Sequence, residues 1–308
     1  MSDHSKISII GTGHVGSALG MACVTLQLAD EIILVNRTPE TARGHAADLG
    51  HAAAFVSRAI RVHAGDIADT AGSDVVVLTN SVPPKGDFEN RMQLLDDNVE
   101  LFRRWVPPLA EVNPEAVFIV VTNPVDVLSY VTWKLSGLSA RQIIGSGTLI
   151  DSVRFRSSLS EYLQIHPDDI RAYILGEHGP TQFPLLSMSV TGGETLDGDA
   201  DVFEIFEQTR GAGMEVYKLK GYTNYAVAMA VTLIIESVIR NSRRTLPIST
   251  HIDDFHGIRD VFLSLPAVVG EGGVQHLLHP RMNETEIQQW QASGQKIREA
   301  IQSIDTLS

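Results

Sequence analysis

The chain has a single cysteine, Cys23, among its 308 residues. No intrachain disulfide can form, and the count fits a reducing compartment. Cys23 lies in the apolar run 18–28, which predicts a buried structural thiol rather than a nucleophile. No apolar stretch approaches the ~20 residues needed to span a bilayer. Residues Met1–Lys6 lack the basic and apolar regions of a secretory signal, so the cytosol is the expected location. Basic residues are scarce: 24 Lys and Arg stand against 37 Asp and Glu, a net charge of −13. That disfavours nucleic acid and anionic membranes as partners, since both need a basic footprint. A small anion remains possible, because a few arginines suffice for a local positive pocket. Repeats, low-complexity tracts and polar linkers are also lacking. What is present, 44% hydrophobic and 20% charged residues, is the composition of a globular protein long enough for two lobes.

The first half alternates strands and helices. Strands are predicted at 6–10, 31–35, 60–62, 74–78, 117–121 and 142–144. Helices are predicted at 15–28, from Pro39 to about Phe55, at 91–112 and at 125–135. This rhythm implies a Rossmann-type doubly wound parallel sheet of the α/β class. After about residue 146 the rhythm changes. A helix at 149–163 precedes strand-like 172–175 and 185–190. A long helical stretch from 200 to 240 is broken at Gly221. Strands follow at 245–250 and 261–269, then turn-like 270–273 and a helix at 284–304. The expected organisation is a dinucleotide-binding domain at 1–146 and an α+β substrate and catalytic domain at 147–308, with the active cleft between them.

Gly11-Thr12-Gly13-His14-Val15-Gly16 is a G-x-G-x-x-G run between a strand and a helix, the context in which the motif signals dinucleotide binding. Gly11 permits the tight turn, Gly13 lets backbone approach a pyrophosphate, and Gly16 allows helix and strand to pack closely. Val15 and Thr79, at the end of the fourth strand, complete the expected cofactor contacts. An acid normally stands about 20 residues on, where it binds the ribose 2′-hydroxyl. Here Asn36 and Arg37 occupy that place. Asn36 can bond a hydroxyl without repelling a 2′-phosphate, and Arg37 can pair with one. The expected cofactor is therefore NAD or NADP, with relaxed or NADP-leaning choice.

Two mid-chain runs carry the chemistry: Asp151-Ser152-Val153-Arg154 and Gly176-Glu177-His178-Gly179. They offer an acid, a fixed cation and an imidazole, enough to grip a carboxylate and move a proton beside it. Read separately, Asp151 and Arg154 could be an i,i+3 surface pair and His178 an ordinary loop histidine. Together with Val121-Thr122-Asn123-Pro124-Val125-Asp126, Gly145-Ser146-Gly147-Thr148, Lys220-Gly221-Tyr222-Thr223 and Pro247-Ile248-Ser249-Thr250, they resemble the L-lactate/malate dehydrogenase family nearly end to end. The likeness is greater to its lactate and L-2-hydroxyisocaproate branch.

The resemblance implies an NAD(P)-dependent L-2-hydroxyacid dehydrogenase. His178 would be the general acid and base, Asp151 would bond its other ring nitrogen and stabilise imidazolium, and Arg154 would clamp the substrate carboxylate. Arg91, beyond the loop 80–90, would polarise the ketone, with Gly86 as a hinge. Asn123 would contact cofactor ribose and orient substrate, and Thr223 would form a pocket wall. The loop departs from the family. Neither the arginine that selects dicarboxylates nor the glutamine that selects lactate stands where expected, and Asn80-Ser81 replaces a small Ala-Gly pair. Two prolines and Phe88 predict an apolar wall and a bulkier side chain on the substrate, whereas Lys85 could pair with a second carboxylate. Malate dehydrogenase is thus the alternative within the family, and a non-catalytic nucleotide-binding protein the alternative outside it. Arg156 and Arg171 stand where some relatives bind an anionic sugar-phosphate effector, or form a structural ion pair. A homodimer or homotetramer and a small 2-keto or 2-hydroxy acid are the implied partners; no metal is expected.

Overall fold

A computed structural model describes residues 4–83, 91–196 and 200–304. The first half runs β1 (Lys6–Ile10), α1 (His14–Thr25), β2 (Glu31–Val35), α2 (Pro39–Ala53), β3 (Arg61–Ala64), β4 (Val75–Leu78), α3 (Leu95–Val112), β5 (Val117–Val120), α4 (Val125–Ser136) and β6 (Ile143–Gly145). The sequences of β1, β2, β4 and β5 are near-continuous Ile, Val and Leu, as strands covered on both faces require. They pair in parallel in the order β6-β5-β4-β1-β2-β3. Order therefore reverses between β1 and β4, and both strands end at the same edge: Gly11 follows one and Thr79 the other. Ligands of such sheets bind at that switch point. A 3₁₀ turn at Arg91–Leu94 precedes α3, so the expected helix from residue 91 begins one turn later as an α-helix.

The second half comprises α5 (Leu149–Leu163), β7 (Ile170–Arg171), β8 (Ile174–Leu175), β9 (Phe183–Pro184), β10 (Val190–Thr191), β11 (Glu194–Thr195), α6 (Ala200–Lys220), α7 (Tyr225–Ile239), β12 (Arg244–Ile252), β13 (Val261–Gly270), β14 (Gly273–Leu277) and α8 (Glu284–Gln302). Gly221, at φ +84°, ends α6 where the break was expected. The change of rhythm does not close the first sheet. The antiparallel run β12-β13-β14 extends it through β12 against β6, giving one nine-stranded sheet. Helices α1, α2 and α7 bury one face of it, and α3, α4 and α8 the other. A smaller apolar cluster joins α5 and α6 around Phe155 and Phe206.

Three expectations need correction. No strand runs over 185–190: Ser187 is captured by Glu286 (N to Oε1, 3.0 Å) and Ser189 Oγ turns back to Leu185 O at 2.7 Å, so Leu186–Met188 coil into a 3₁₀ turn. Of the strand expected at 172–175 only Ile174–Leu175, β8, is one, and a separate strand, β7, precedes the expected range. The glycines at 270–273 do turn, at φ +73° for Gly272 and +103° for Gly273, but they lead into β14, an edge strand whose half-exposed pattern hides the alternation.

Asp30 ties three segments together. It accepts Ser5 N at 2.9 Å and both Nε and Nη2 of Arg58, at 2.9 and 2.6 Å. The Ser5 N–H first, then the Arg58 guanidinium, hold its carboxyl down at about 2. Its folded-state pKa lies below the unfolded value, so its contribution is present above about pH 4 and fades as pH falls toward 2. Asp30→Ala is expected to cost about 1–2 kcal/mol at pH 7, allowing for partial exposure. In thermal melts the gap from wild type should close between pH 4 and pH 2; a gap that is constant with pH would refute the charged role.

Candidate active site

The glycine turn is built as its spacing predicts. Gly11 takes φ +100°, and a Cβ there would meet Asn80 N at 2.6 Å. A Cβ on Gly16 would stand 1.9 Å from Gly11 O, so α1 can approach the strand only without one. At Gly13 nothing lies within 4 Å of a Cβ, and this residue opens α1 with no side-chain cap and no acid in the first turn. The helix N-terminus is thus unspent and facing open space, the cradle a pyrophosphate needs. Thr79 Oγ1 braces the turn through Gly11 O at 2.7 Å. The side-chain amide of Asn80 and Oδ1 of Asn123 are buried without hydrogen-bond partners among the described residues, which suits a polar ligand at this edge.

Asn36 is partly spent on the protein: its amide donates to Thr12 Oγ1 at 2.6 Å and accepts Thr38 N at 2.9 Å. Arg37 beside it is exposed and has no ion pair among the described residues. Val15, Thr79, Asn123 and Thr223 line one cavity of about 280 Å³. His14, inside the fingerprint, stacks on Tyr222 with ring centroids 3.7 Å apart, which clamps the α6–α7 turn against the start of α1.

A second cavity, of about 460 Å³, shares Gly213 and Met214 of α6 with the first. Asp151, Arg154 and His178 line it together. His178 Nδ1 lies 2.5 Å from Asp151 Oδ2, both side chains being under 10% exposed. Arg154 Nη1 is 3.4 Å from Asp151 Oδ1, a long contact that leaves most of its donors for a ligand. The i,i+3 spacing on α5 is therefore real, but it faces a cavity rather than solvent. Pro124, Val125, Met92, Met214 and Ile297 give the cavity an apolar side; Arg210 and Lys296 add cations. With Nδ1 held by a carboxylate, Nε2 is the ring atom through which a proton can pass.

The structure thus brings together His178, Asp151 and Arg154, and separately Val15, Thr79, Asn123 and Thr223 at the adjoining cavity. Arg91 opens the 3₁₀ turn next to Met92, but its side chain, like Lys85, Gly86 and Phe88, lies outside the described residues. Arg156 and Arg171 lie elsewhere and near enough to repel each other; neither has an ion pair among the described residues. Sequence reasoning passed over Asp126, buried at 2% exposure, whose Oδ2 accepts the His178 main-chain N–H at 2.7 Å. Its signal was there: one acid in the first turn of an otherwise apolar helix start, Val-Asp-Val-Leu.

Residues 5–145 match the NAD-binding domain of lactate/malate dehydrogenase, and residues 148–307 the α/β C-terminal domain of the same family. L-lactate dehydrogenase A of Hordeum vulgare is 42% identical over 317 residues, spanning 98% of this chain and 88% of its own. L-lactate dehydrogenase 1 of Clostridium acetobutylicum is 37% identical, over 99% and 100% of the two chains. Among solved structures, a lactate dehydrogenase from a Medee basin deep-sea metagenome library superposes with a TM-score of 0.92 at 34% identity, covering 97% of this chain and 98% of its own. The minor L-lactate dehydrogenase of Enterococcus mundtii gives 0.94 at 27%, over 98% and 99%.

The glycines separate binding from folding. Gly13→Ala should leave the melting temperature within about 2 °C of wild type, since its φ of −73° suits alanine. Dinucleotide affinity, followed by fluorescence titration, should fall about tenfold or more as the methyl fills the phosphate approach. Gly16→Ala should instead destabilise the fold, by about 2–3 kcal/mol. Equal behaviour of the two variants would refute the assignment.

Proposed function

The chain belongs to the lactate/malate dehydrogenase family, and from that premise we propose how its cavity works as a lactate-type, NAD-dependent L-2-hydroxyacid dehydrogenase. The observation that carries the reading is the His178–Asp151 contact of 2.5 Å beside Arg154, in a cavity that adjoins the glycine-turn cleft. We assign residues 1–146 to dinucleotide binding and 147–308 to substrate and chemistry.

Arg154 takes the substrate carboxylate through paired N–H donors, which fixes the carbon bearing the oxygen. His178 gives a proton to the ketone oxygen in reduction and takes it from the hydroxyl in oxidation. Asp151 holds the ring orientation and stabilises the imidazolium form by opposite charge. Bound nicotinamide supplies or accepts the hydride at the same carbon. Thr79, Asn80 and Asn123 hold polar atoms at the cofactor end, while Thr223 walls the pocket. Arg91 is assigned to polarising the ketone oxygen, which balances the charge that develops there. A protein that only bound nucleotide would have no use for a carboxylate-backed imidazole next to an uncommitted arginine.

The substrate is a 2-keto acid with an apolar side chain at least as large as that of pyruvate. Met92, Pro124, Met214 and Ile297 supply the apolar lining, and Gly213 keeps the α6 wall low at a helix position where glycine costs about 1 kcal/mol relative to alanine. NADP is accepted as well as NAD, because Asn36 carries no charge to repel a 2′-phosphate and Arg37 beside it is uncommitted. The assembly is a homodimer or homotetramer; exposed Met21 on α1 and Tyr225 and Met229 on the adjoining α7 are apolar groups such an interface would cover. A cytoplasmic location suits the buried free thiol of Cys23.

The deciding experiment is oxidation of NADH and NADPH with pyruvate, 2-ketoisocaproate and oxaloacetate. Turnover of the first two above oxaloacetate is expected, with kcat/KM for NADPH within about tenfold of that for NADH. Preference for oxaloacetate would instead make the enzyme a malate dehydrogenase, and strong NADH preference would remove the role of Arg37. Arg154→Ala should lower kcat/KM for the keto acid by about 100-fold or more without weakening NADH binding.

A further inference from the structure

Asp126 has more charge than its visible bond requires. It lies in the first turn of α4 between Val125 and Val127, is 2% exposed, and accepts the His178 N–H through Oδ2 at 2.7 Å, with the Ser249 hydroxyl nearby. Its Oδ1 is buried and has no partner among the described residues. An amide side chain would offer His178 the same acceptor without the cost of burying a carboxyl. The group lines the cavity that holds the reacting residues. The titratable and charged side chains around that cavity are Asp151 and Arg154 from α5, Glu177 and His178 from the loop after β8, Arg210 from α6 and Lys296 from α8.

We propose that Asp126 is a positioning residue for the proton step: it fixes the main chain of His178, and its own ionisation is linked to that of the imidazole with which it shares the cavity. The inference rests on the reading of His178 as proton donor and acceptor. Burial raises Asp126 to about 7; the Ser249 hydroxyl and His178 N–H oppose the shift, and Glu177 and Asp151 add to it. A group that titrates near neutrality responds to a neighbour's charge. When His178 is imidazolium, its positive charge favours the carboxylate of Asp126. When His178 has given up its proton, the other acids favour the neutral acid. An ionised Asp126 therefore keeps the imidazolium form present to higher pH, where reduction of a keto acid needs it.

Asp126→Asn keeps an acceptor for the His178 N–H and removes the charge. The alkaline decline of kcat/KM for keto-acid reduction should move down by about 0.5 pH unit or more, and the rising limb for hydroxy-acid oxidation should move the same way. NADH affinity should stay within about twofold. Asp126→Ala removes the acceptor too and should lower kcat by about tenfold more than Asp126→Asn at the optimum of each. Should the alanine variant fail to fold by circular dichroism, the asparagine variant decides alone. An Asp126→Asn profile that superposes on wild type overturns the proposal. His178→Ala, assayed in parallel, should abolish turnover; if it does not, the failure lies in the assignment of His178 and not in Asp126.

Discussion

The geometry of His178, Asp151 and Arg154 depends on one serine of the sheet, Ser264 in β13. Its main chain exchanges both hydrogen bonds with Gly176, at 3.1 and 3.0 Å, and its Oγ accepts Thr148 N at 2.9 Å. Gly176 opens the loop that carries His178, and Thr148 opens the helix that carries Asp151 and Arg154. Two segments whose Asp151 and His178 stand 27 positions apart are thereby referred to the same rung of the same strand. Further bonds stitch them to each other: Thr148 Oγ1 donates to Ile174 O at 2.5 Å, and Ile174 N donates to Ser152 Oγ at 2.9 Å. The 2.5 Å contact between His178 and Asp151 follows from this bracing and does not have to produce it. Because β13 belongs to the same sheet as β1 and β4, the His178–Asp151 pair is also held in register with the glycine turn.

That continuity explains why both cavities adjoin along α6. The glycine turn and the Thr79 brace stand at the carboxyl ends of β1 and β4, at the switch point of the sheet. The loop that carries His178 reaches the same side because β12 pairs with β6 through Ser249 and Gly145, where any larger residue at 145 would strike Ser129 and Ser249. The His14–Tyr222 stack adds a second tie, from the fingerprint to the turn before α7. Movement of that turn would be felt at once by Thr223 in the pocket wall and by the phosphate loop.

Much of this was legible in the chain because the signals are local. A glycine at φ +100° or one with 1.9 Å of clearance leaves no other residue possible, so the turn at 11–16 announces itself. Buried parallel strands announce themselves as runs such as Glu-Ile-Ile-Leu-Val. The reading failed where long-range contacts override local preference. Leu185–Val190 has the apolar content of a strand, but Glu286, about 100 residues later, draws Ser187 into a coil while capping α8 through Asn283. β14 could not be seen because its pairing with β13 depends on a glycine turn and only two of its residues are buried. Nor could the extension of the nucleotide sheet by β12–β14, since pairing across the domain boundary leaves no periodic trace. Asp126 was visible as a residue but not as a function, because its meaning comes from a backbone amide 52 positions away.

On the proposed function, a chain of net charge −13 has an anion to bind and must arrange its acids with care. Three of them, Asp126, Asp151 and Glu177, line the cavity where a carboxylate is to be gripped. Left bare, they would repel it. Each is answered differently. Asp151 faces the imidazole and so becomes half of a nearly neutral pair once His178 is protonated. Glu177 is 4% exposed, and its Oε2 accepts both the hydroxyl and the N–H of Thr181. Asp126 is brought toward neutrality by burial itself, its carboxyl titrating at about 7. The cations of the lining are Arg154, Arg210 and Lys296. With His178 protonated, these cations face a paired Asp151, a Glu177 whose charge is directed at Thr181 and a half-titrated Asp126, so the lining is cationic on balance, and burial links the ionisation of Asp126 to its neighbours. On the proposed function, selectivity for an anion and sensitivity of the proton step to pH share one cause, the burial of His178 and its acidic neighbours.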